Sequence, residues 1–589
     1  MSGTLPDTQQ ARSTRFRDLW RNALRITSIR IIVQLATFGL FLAFVLLTSF
    51  ASLDRLPGLR HWVSKVMEID PLVAIATAIT THTVYRGLLW SLVILIPTLF
   101  LGRFFCNWIC PYGTLHQFIG WAFRTTRWHG LPARVLTGKM PVPHTEPVAQ
   151  GSTPCLHRQD AGATNGYRRS QRIKYYILIA MLVAAALGTL QIGLLDPICL
   201  IYRSFTGAVL PAASMPLPDL LGDYRLYQGA WLIGFLLFGL LAMNLVYPRF
   251  FCRVLCPLGA LLGVLSRFAW WRIERDPHKC LDCGLCQQHC EGACDPHGRL
   301  RKAECLVCFN CIEDCPEGAL RFAMFPPKEH EVTGPDLSRR KMIFAGLTGL
   351  LFYPLVRGSG RSTRDFSSRV IRPPGAVEEL EFLERCIKCD QCARVCPTNV
   401  IQPDWFDSGL EGLWTPVLNF RIGYCQLNCT ACGQVCPTGA IQRISVARKL
   451  GLAEYAERGP IRLGTAHIDV GRCLPYSAGI PCQVCEEVCP TSPKAVHVGR
   501  QMRRRRGGRW SAAPEAEDAV PVPMVDPDRC IGCGICEQHC PVVGDRRAIY
   551  VTAEGETRSQ DQPQPDRNRS VRLSRAAPAT GRDARSDPH

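Results

Sequence analysis

Apolar residues fall into two regimes along this chain, long uninterrupted runs before about residue 250 and short alternating stretches between cysteine loops after it. Four runs carry no charge: 31–50, 88–101, 175–195 and 229–247. Three of them are 19 to 21 residues long, and at about 1.5 Å per residue such helices cross a hydrocarbon core of about 30 Å. The second run is shorter, but Tyr85, Arg86 and Arg103 flank it and can snorkel toward the interface. The pattern therefore predicts four membrane spans. Arg12, Arg15, Arg17, Arg21, Arg25 and Arg30 precede the first, and ten Lys/Arg lie in 102–174, against four in 51–87 and two in 196–228. The positive-inside rule puts the N-terminus and 102–174 in the cytoplasm and the other two connections outside.

The membrane half is an internal repeat. Arg103-Phe104-Phe105-Cys106-x-x-x-Cys110-Pro111-x-Gly113 matches Arg249-Phe250-Phe251-Cys252-x-x-x-Cys256-Pro257-x-Gly259, and Ile69-Asp70-Pro71-Leu72 matches Leu195-Asp196-Pro197-Ile198. Duplication brings Cys106, Cys110, Cys252 and Cys256 together at the cytoplasmic edge. Thiols at i and i+4 share a helix face, which suits a metal, a cluster or a redox disulfide; the bland alternative is small side chains packing helix ends. Asp70 and Asp196 read equally well as turn residues before proline and as acids that take a proton from a quinol. His82, Tyr85, Arg86, Tyr202 and Arg203 stand beside the outer ends of the spans and can line such a site. His116 reads as a helix-surface histidine.

Composition changes the picture next. With 589 residues, 31 cysteines, 47% hydrophobic content and a mean hydropathy of +0.04, the chain holds more than one domain and is too apolar to be wholly soluble. Small disulfide-stapled proteins do not carry such apolar runs, so the cysteines read as metal or cluster ligands. The net charge of +19 sits in loops and a polar tail. Six [4Fe-4S] centres with their thiolates, at roughly −2 each, offset about −12 of it. Nucleic acid is excluded as a partner on this reading.

Two quartets follow the fourth run: Cys280, Cys283, Cys286, Cys290 and Cys305, Cys308, Cys311, Cys315. Three thiolates at x2 spacing wrap one cubane while the fourth points to a neighbouring cluster, the two-cluster ferredoxin arrangement. Zinc has no use for the third and fourth cysteines with a trailing proline. Exchange of fourth ligands puts one cluster on Cys280, Cys283, Cys286 and Cys315 and the other on Cys305, Cys308, Cys311 and Cys290. Cys290 lacks a following proline, so Cys294 is an alternative to it. Four further quartets come after Glu378: Cys386, Cys389, Cys392, Cys396; Cys425, Cys429, Cys432, Cys436; Cys473, Cys482, Cys485, Cys489; and Cys530, Cys533, Cys536, Cys540. Each ends in Cys-Pro, and most precede a short apolar segment such as Ala440-Ile441, Ala495-Val496-His497-Val498 or Ala548-Ile549-Tyr550-Val551, which is a repeated ferredoxin-like unit. Residues 398–424 and 441–472 are insertions. Arg503 to Arg506 and then Gly507 to Pro523 read as a basic, then Ala/Pro/Glu-rich loop, a solvated face or a docking site for an acidic partner. The tail 557–589 has a disordered composition.

Six quartets and the paired CxxxCP motifs leave only Cys155, Cys199 and Cys294 over. With no flavin, nicotinamide or molybdenum motif, such a series of one-electron centres is a wire. Between the halves, Arg339-Arg340 precede a mild apolar segment at 342–356. That resembles a Tat export signal, although Arg357, Arg361, Arg364 and Arg369 follow on the outer side. A peripheral helix, with the C-terminal half left in the cytoplasm, is the alternative.

Residues 30–330 resemble NapH, and their membrane core resembles the C-terminal part of NosR and the FixG/CcoG group; 335–552 resemble NapG and MauM. The resemblance implies a NapH–NapG fusion that oxidises menaquinol or ubiquinol and delivers electrons to a periplasmic cytochrome c or a molybdenum reductase of the nitrate-reductase type. It also implies that the first C-terminal quartet exchanges ligands with the fourth and the second with the third, so that Cys540 completes the Cys386 cluster and Cys396 the Cys530 cluster. The expected fold is mixed, an α-helical membrane bundle of four spans in two repeats, with a possible fifth, plus α+β ferredoxin-like [4Fe-4S] modules. The expected domains are a basic N-terminus (1–30), membrane repeats (31–125 and 175–271) around a basic loop (126–174), a two-cluster domain (272–330), a joining segment (331–375), a four-cluster domain (376–556) and the tail. The expected place is a bacterial inner membrane, the two-cluster domain inside and the four-cluster domain in the periplasm. A FixG-like maturation factor or metal reductase, and reverse flow from a periplasmic dehydrogenase into the quinone pool, are the alternatives.

Overall fold

Isoleucine, leucine, valine and phenylalanine without an interior break carry the first run into one 25-residue helix, α1 (Ile26–Phe50). In the computed structural model, residues 26–50, 64–83, 86–130, 167–214, 225, 227–325, 331–332, 334–364, 370–504, 510–512, 520–544 and 546–557 are described. They form two units, one of Met1–Gly360 with Leu383–Val395 and one of Arg361–Phe382 with Cys396–His589. The arginines before α1, Tyr85, Cys155, most of the 126–174 loop, Arg369, Arg505, Arg506 and the tail from 558 lie outside the described residues.

In the first unit, among the described residues, one helix is long and apolar enough to cross a membrane, Ile26–Thr48; Pro71–Thr81, Gly87–Leu101, Ala230–Val246 and Pro257–Phe268 are shorter apolar helices. The Asp-Pro pairs open helices between the apolar runs, α2 (Pro71–Thr81) and α6 (Pro197–Ser204), because proline at the first helical position needs no N–H and the aspartate ahead of it caps the next ones. The second run gives α3 (Leu92–Leu101) behind a 3₁₀ turn, Arg86–Ser91. The first CxxxCP leads into α4 (Pro111–Gly130) and the second into α8 (Pro257–Leu265), with α7 (Ala230–Val246) between α6 and α8.

The third run does not stay helical. It stops as α5 (Ile173–Ala186), since Gly188 takes a left-handed φ of 89° and buried Thr189 and Gln191 follow; Ile192–Leu194 is only a 3₁₀ turn. Helix α9 (Arg339–Arg364) carries the twin arginines at its start and extends well beyond the 342–356 apolar stretch. It packs on α5 through Gly349, where a Cβ would come within 2.5 Å of the Ala180 carbonyl. Ile343, Phe344, Leu351 and Leu355 remain exposed, as do Leu40, Trp231, Phe235 and Phe238 on the other helices. Strand β1 (Trp271–Arg275) pairs antiparallel with β2 (Leu320–Met324), and the two cysteine loops lie between them in sequence.

The second unit is built from short antiparallel pairs: β3 (Ile401–Pro403) with β4 (Pro416–Leu418), and β5 (Thr465–Ile468) with β9 (Ile549–Thr552). Within the stretch read as a loop, the described residues 503–504, 510–512 and 520–523 are strand instead, with β6 (Val496–Arg504) between β7 (Trp510–Ala512) and β8 (Val520–Val525). Its β-branched residues at 496, 498, 520, 522 and 525 favour that outcome over the Pro and Gly that suggested a loop. The expected boundary at 376 also moves, because Leu383–Val395 belongs to the first unit. Ile387 and Cys389 enter the core formed by Leu190, Ile192, Cys199 and Tyr202.

Candidate metal centres

Four of the cysteine loops turn through a left-handed residue just before their short helix, Gly284 at φ 72°, Phe309 at φ 62°, Asp390 at φ 62° and Gly534 at φ 76°. Tight turns of this kind aim thiols inward from consecutive positions. Cys280, Cys283, Cys286 and Cys315 line one cavity, with Leu285, Pro316 and Leu320 as apolar wall. Cys290 and Cys305 are charge neighbours of both Cys308 and Cys311. Burial pushes the Cys286 and Cys308 thiols up to about 12. Four sulfurs in one cavity, with Arg275 Nη1 donating to Cys280 Sγ at 3.7 Å and the Ala319 N–H to Cys315 Sγ at 3.2 Å, fit a [4Fe-4S] cluster. Asp282 and His297 stand beside Cys280, which cysteine counting did not reveal.

In the second unit, Cys396 lines a cavity with Cys425, Cys429 and Cys432, and Cys540 lines another with Cys473, Cys482 and Cys485. Cys489 is the charge neighbour of Cys530, Cys533 and Cys536. This corrects the expected exchange: Cys396 does not complete the Cys530 site, and Cys540 does not complete the Cys386 site. The reason is the chain path, since the β3–β4 hairpin brings the Cys425 loop back beside Cys396, while β5 pairs with β9 next to Cys473 and Cys540. Cys436 Sγ accepts from Ile441 N at 3.4 Å. Buried Lys449 donates to Cys425 Sγ at 3.3 Å. Its burial opposes its charge, but Cys425, Cys432 and Cys429 hold it above the ordinary lysine value. No spacing pattern signals this lysine.

Cys386, Cys389 and Cys392 sit buried on the Leu383–Val395 segment of the first unit. Arg203 Nη1 donates to Lys388 O at 3.1 Å, Lys388 Nζ bonds Gln191, and Tyr227 OH donates to Ala393 O at 3.5 Å. Gly193 is obligatory beneath it, because a Cβ there would overlap the Ile387 carbonyl oxygen.

The CxxxCP thiols converge. Cys106, Cys110 and Cys252 are charge neighbours of Cys256, and Cys106 and Cys252 of Cys110. Cys256 caps α8, accepting from Gly259 N at 3.1 Å. The glycine of each motif is needed for space: a Cβ on Gly113 would overlap Cys106 O, and one on Gly259 would sit 2.9 Å from an Arg103 nitrogen. Arg103, neighbour to Cys106 and Cys256, also donates to Ala303 O at 2.9 Å and pairs with Glu304, which Lys174 and Tyr175 hold as well. This links the thiols to the Cys305 loop, and four sulfurs ringed by buried cations suit an anionic metal centre. His116 is fully buried with its ring 4.9 Å from Tyr112, which corrects its reading as a surface residue.

Asp70 and Asp196 are wholly buried N-caps. Asp70 Oδ1 accepts from Leu72 N and Val73 N at 2.8 and 3.4 Å, and Asp196 Oδ2 from Ile198 N and Cys199 N at 2.9 Å. The two carboxyl groups neighbour each other, and Asp70 Oδ2 and Asp196 Oδ1 receive no backbone N–H. The turn reading of the Asp-Pro pair is met by these two N-caps. Tyr202 and Arg203 are buried beside them, whereas His82 is an exposed C-cap at φ 53°.

Known proteins fit this inventory. A 4Fe-4S binding domain family matches residues 83–128, 227–274 and 432–452, a 4Fe-4S dicluster domain 385–440, and a further 4Fe-4S binding domain 523–543. The methylamine utilization ferredoxin-type protein MauM of Methylorubrum extorquens is 32% identical over 34% of this chain and 84% of its own length. The ferredoxin-type protein NapG of Escherichia coli K12 is 30% identical over 33% and 75%. YccM of the same organism is 24% identical over 52% and 76%. An uncharacterized protein of Methanocaldococcus jannaschii is matched over only 35% of its length. No solved structure matches the chain. The cysteine loops and these similarities make one conclusion: the chain belongs to the NapG/MauM family of ferredoxin-type iron–sulfur electron-transport proteins.

Proposed function

We propose that this protein is a multi-pass membrane quinol dehydrogenase component, a NapH–NapG fusion that conducts electrons through six [4Fe-4S] clusters from quinol to a periplasmic reductase pathway. The observation that carries the reading is the position of cluster ligands along α1. Near its start, Thr27 bonds Glu313, and Arg30 donates to Cys308 O at 2.6 Å and pairs with Glu291. Near its end, Thr48 neighbours Tyr202, and the Gln391–Val395 turn packs on the same helix. Thr27 and Thr48 are 21 residues apart, about 31 Å along a helix axis, which is a bilayer's width. With this span of α1 in support, we read the two-cluster domain as cytoplasmic and the four-cluster domain as periplasmic. Asp70 and Asp196 would accept the quinol protons through a shared carboxyl pair. The CxxxCP thiols would hold one further metal or redox centre, and the resemblance to NapG favours a reductase as acceptor.

Anaerobic mixing of the reconstituted protein with menaquinol, followed by EPR and visible bleaching, tests this. Rapid cluster reduction is expected. Absence of reduction by any quinol, with clusters present, overturns it. The methylamine utilization named for MauM favours a second reading, in which a periplasmic dehydrogenase reduces the clusters and quinone reoxidises them.

A further inference from the structure

Ferredoxin spacing gives Cys294 no task, yet the fold places it inside the second ligand set. Its Sγ lies 3.4 Å from Cys290 Sγ, its N–H donates to that sulfur at 3.3 Å, and its thiol is also a hydrogen-bonding neighbour of Cys305. Cys290 in turn neighbours Cys308 and Cys311. Five thiols therefore surround a site that needs four. The first cluster's cavity has only its four.

The chain between the two cysteines is held firmly. Gly292 lies so close to Glu304 O that a Cβ would overlap it, and buried Ala293 adopts a left-handed φ of 53°. Arg301 N donates to Cys294 O at 2.7 Å, and Arg253 Nη2 to Cys290 O at 3.1 Å. Both sulfurs are thus presented to the same place by anchored backbone, and the proline that follows the fourth ligand in the other quartets is absent after Cys290 but stands two residues after Cys294.

We propose that Cys290 and Cys294 share the fourth ligand position of the cluster on Cys305, Cys308 and Cys311, one binding iron as thiolate while the other donates its S–H to that sulfur. Exchange between them moves one proton from the incoming thiol to the outgoing thiolate, breaks one iron–sulfur bond, forms another, and leaves every oxidation state unchanged. A hydrogen bond to a ligating sulfur raises a cluster's reduction potential. The spare thiol thereby both tunes the cluster and protects it against loss of a ligand.

The test uses the full-length protein purified anaerobically, with Cys290→Ala, Cys294→Ala, the double variant and Cys308→Ala, read by iron content, EPR and potentiometric titration. Each single variant at 290 or 294 should keep its full iron and lower the midpoint potential of one cluster, while the double variant and Cys308→Ala lose that cluster's four-iron signal. Serine at 290 or 294 preserves volume, and cluster retention in those variants reads the same way should alanine impair folding. Loss of the cluster in one single variant, with no change in the other, shows a single dedicated ligand and overturns the proposal. Retention of the cluster in the double variant overturns it too.

Discussion

Lys449 donates not only to Cys425 Sγ but also to Gln426 O and Cys429 O, at 2.6 and 2.8 Å, so its charge is fixed against one cluster loop. Positive charge beside a cluster favours the reduced form. Lys449→Met should therefore lower the midpoint potential of the cluster on Cys396, Cys425, Cys429 and Cys432 and leave the other clusters unmoved; an unchanged potential in a redox titration would remove the lysine from this role. Arg372 is a second side chain whose weight is structural. It is buried, pairs with Glu379 at 2.7 Å, and donates to Thr415 Oγ1, Pro416 O and Ser408 Oγ. Arg372→Ala removes the buried guanidinium and the bonds it makes to Glu379, Thr415, Pro416 and Ser408, and breaking a buried pair costs about 3–5 kcal/mol. Denaturant unfolding of the variant should show a loss of that size. Cysteine spacing marked candidate ligands one by one, but nothing in local sequence announced Lys449 or Arg372, because apart from Glu379 the groups they bind lie some 20 to 44 positions away.

At the level of elements, α1 was legible because its apolar residues run without interruption, whereas the 175–195 run looked equally apolar and broke at Gly188. Hydropathy counts composition; the break depends on one glycine and the buried polar residues after it. Ligand exchange among the C-terminal quartets was less legible still. The x2-x3 spacing of the last three thiols in each quartet shows that a fourth thiol points away, but only the hairpin β3–β4 and the pair β5–β9 show which loop it meets. Cys396→Ser should accordingly disturb the EPR signal of the Cys425 cluster and spare the Cys530 cluster; the reverse result would restore the exchange implied by resemblance. The loop on Gly193 makes a sharper demand. Overpacking costs about 1–3 kcal/mol where neighbours can yield, and a backbone carbonyl fixed by the Ile387–Cys389 segment yields poorly. Gly193→Ala should weaken or release the cluster on Cys386, Cys389 and Cys392, seen as lost iron with the two-cluster module intact.

Across the whole chain, ligand groups for two-cluster and four-cluster modules must be loaded and located correctly, and the two requirements are coupled by α9. Six four-iron clusters require about 24 iron atoms per chain; a value near eight in purified protein would confine clusters to one module. Export of the C-terminal half after cluster insertion requires a route for folded protein, for which Arg339 and Arg340, exposed at the start of α9, are the candidate signal. Lysine at both positions keeps the charge and the helix but removes the paired guanidinium groups such a route reads. An epitope appended after His589 should then be reachable by protease from the periplasmic side in the parent protein and protected in the double lysine variant. Arg30, near the start of α1, contacts Cys308 O and Glu291 of the two-cluster module, so that module's iron signal supplies the control in both proteins. Equal protease access in both would exclude twin-arginine export. Protection of the epitope in the parent as well would place all six clusters on one side and leave the 31 Å of α1 without a redox task.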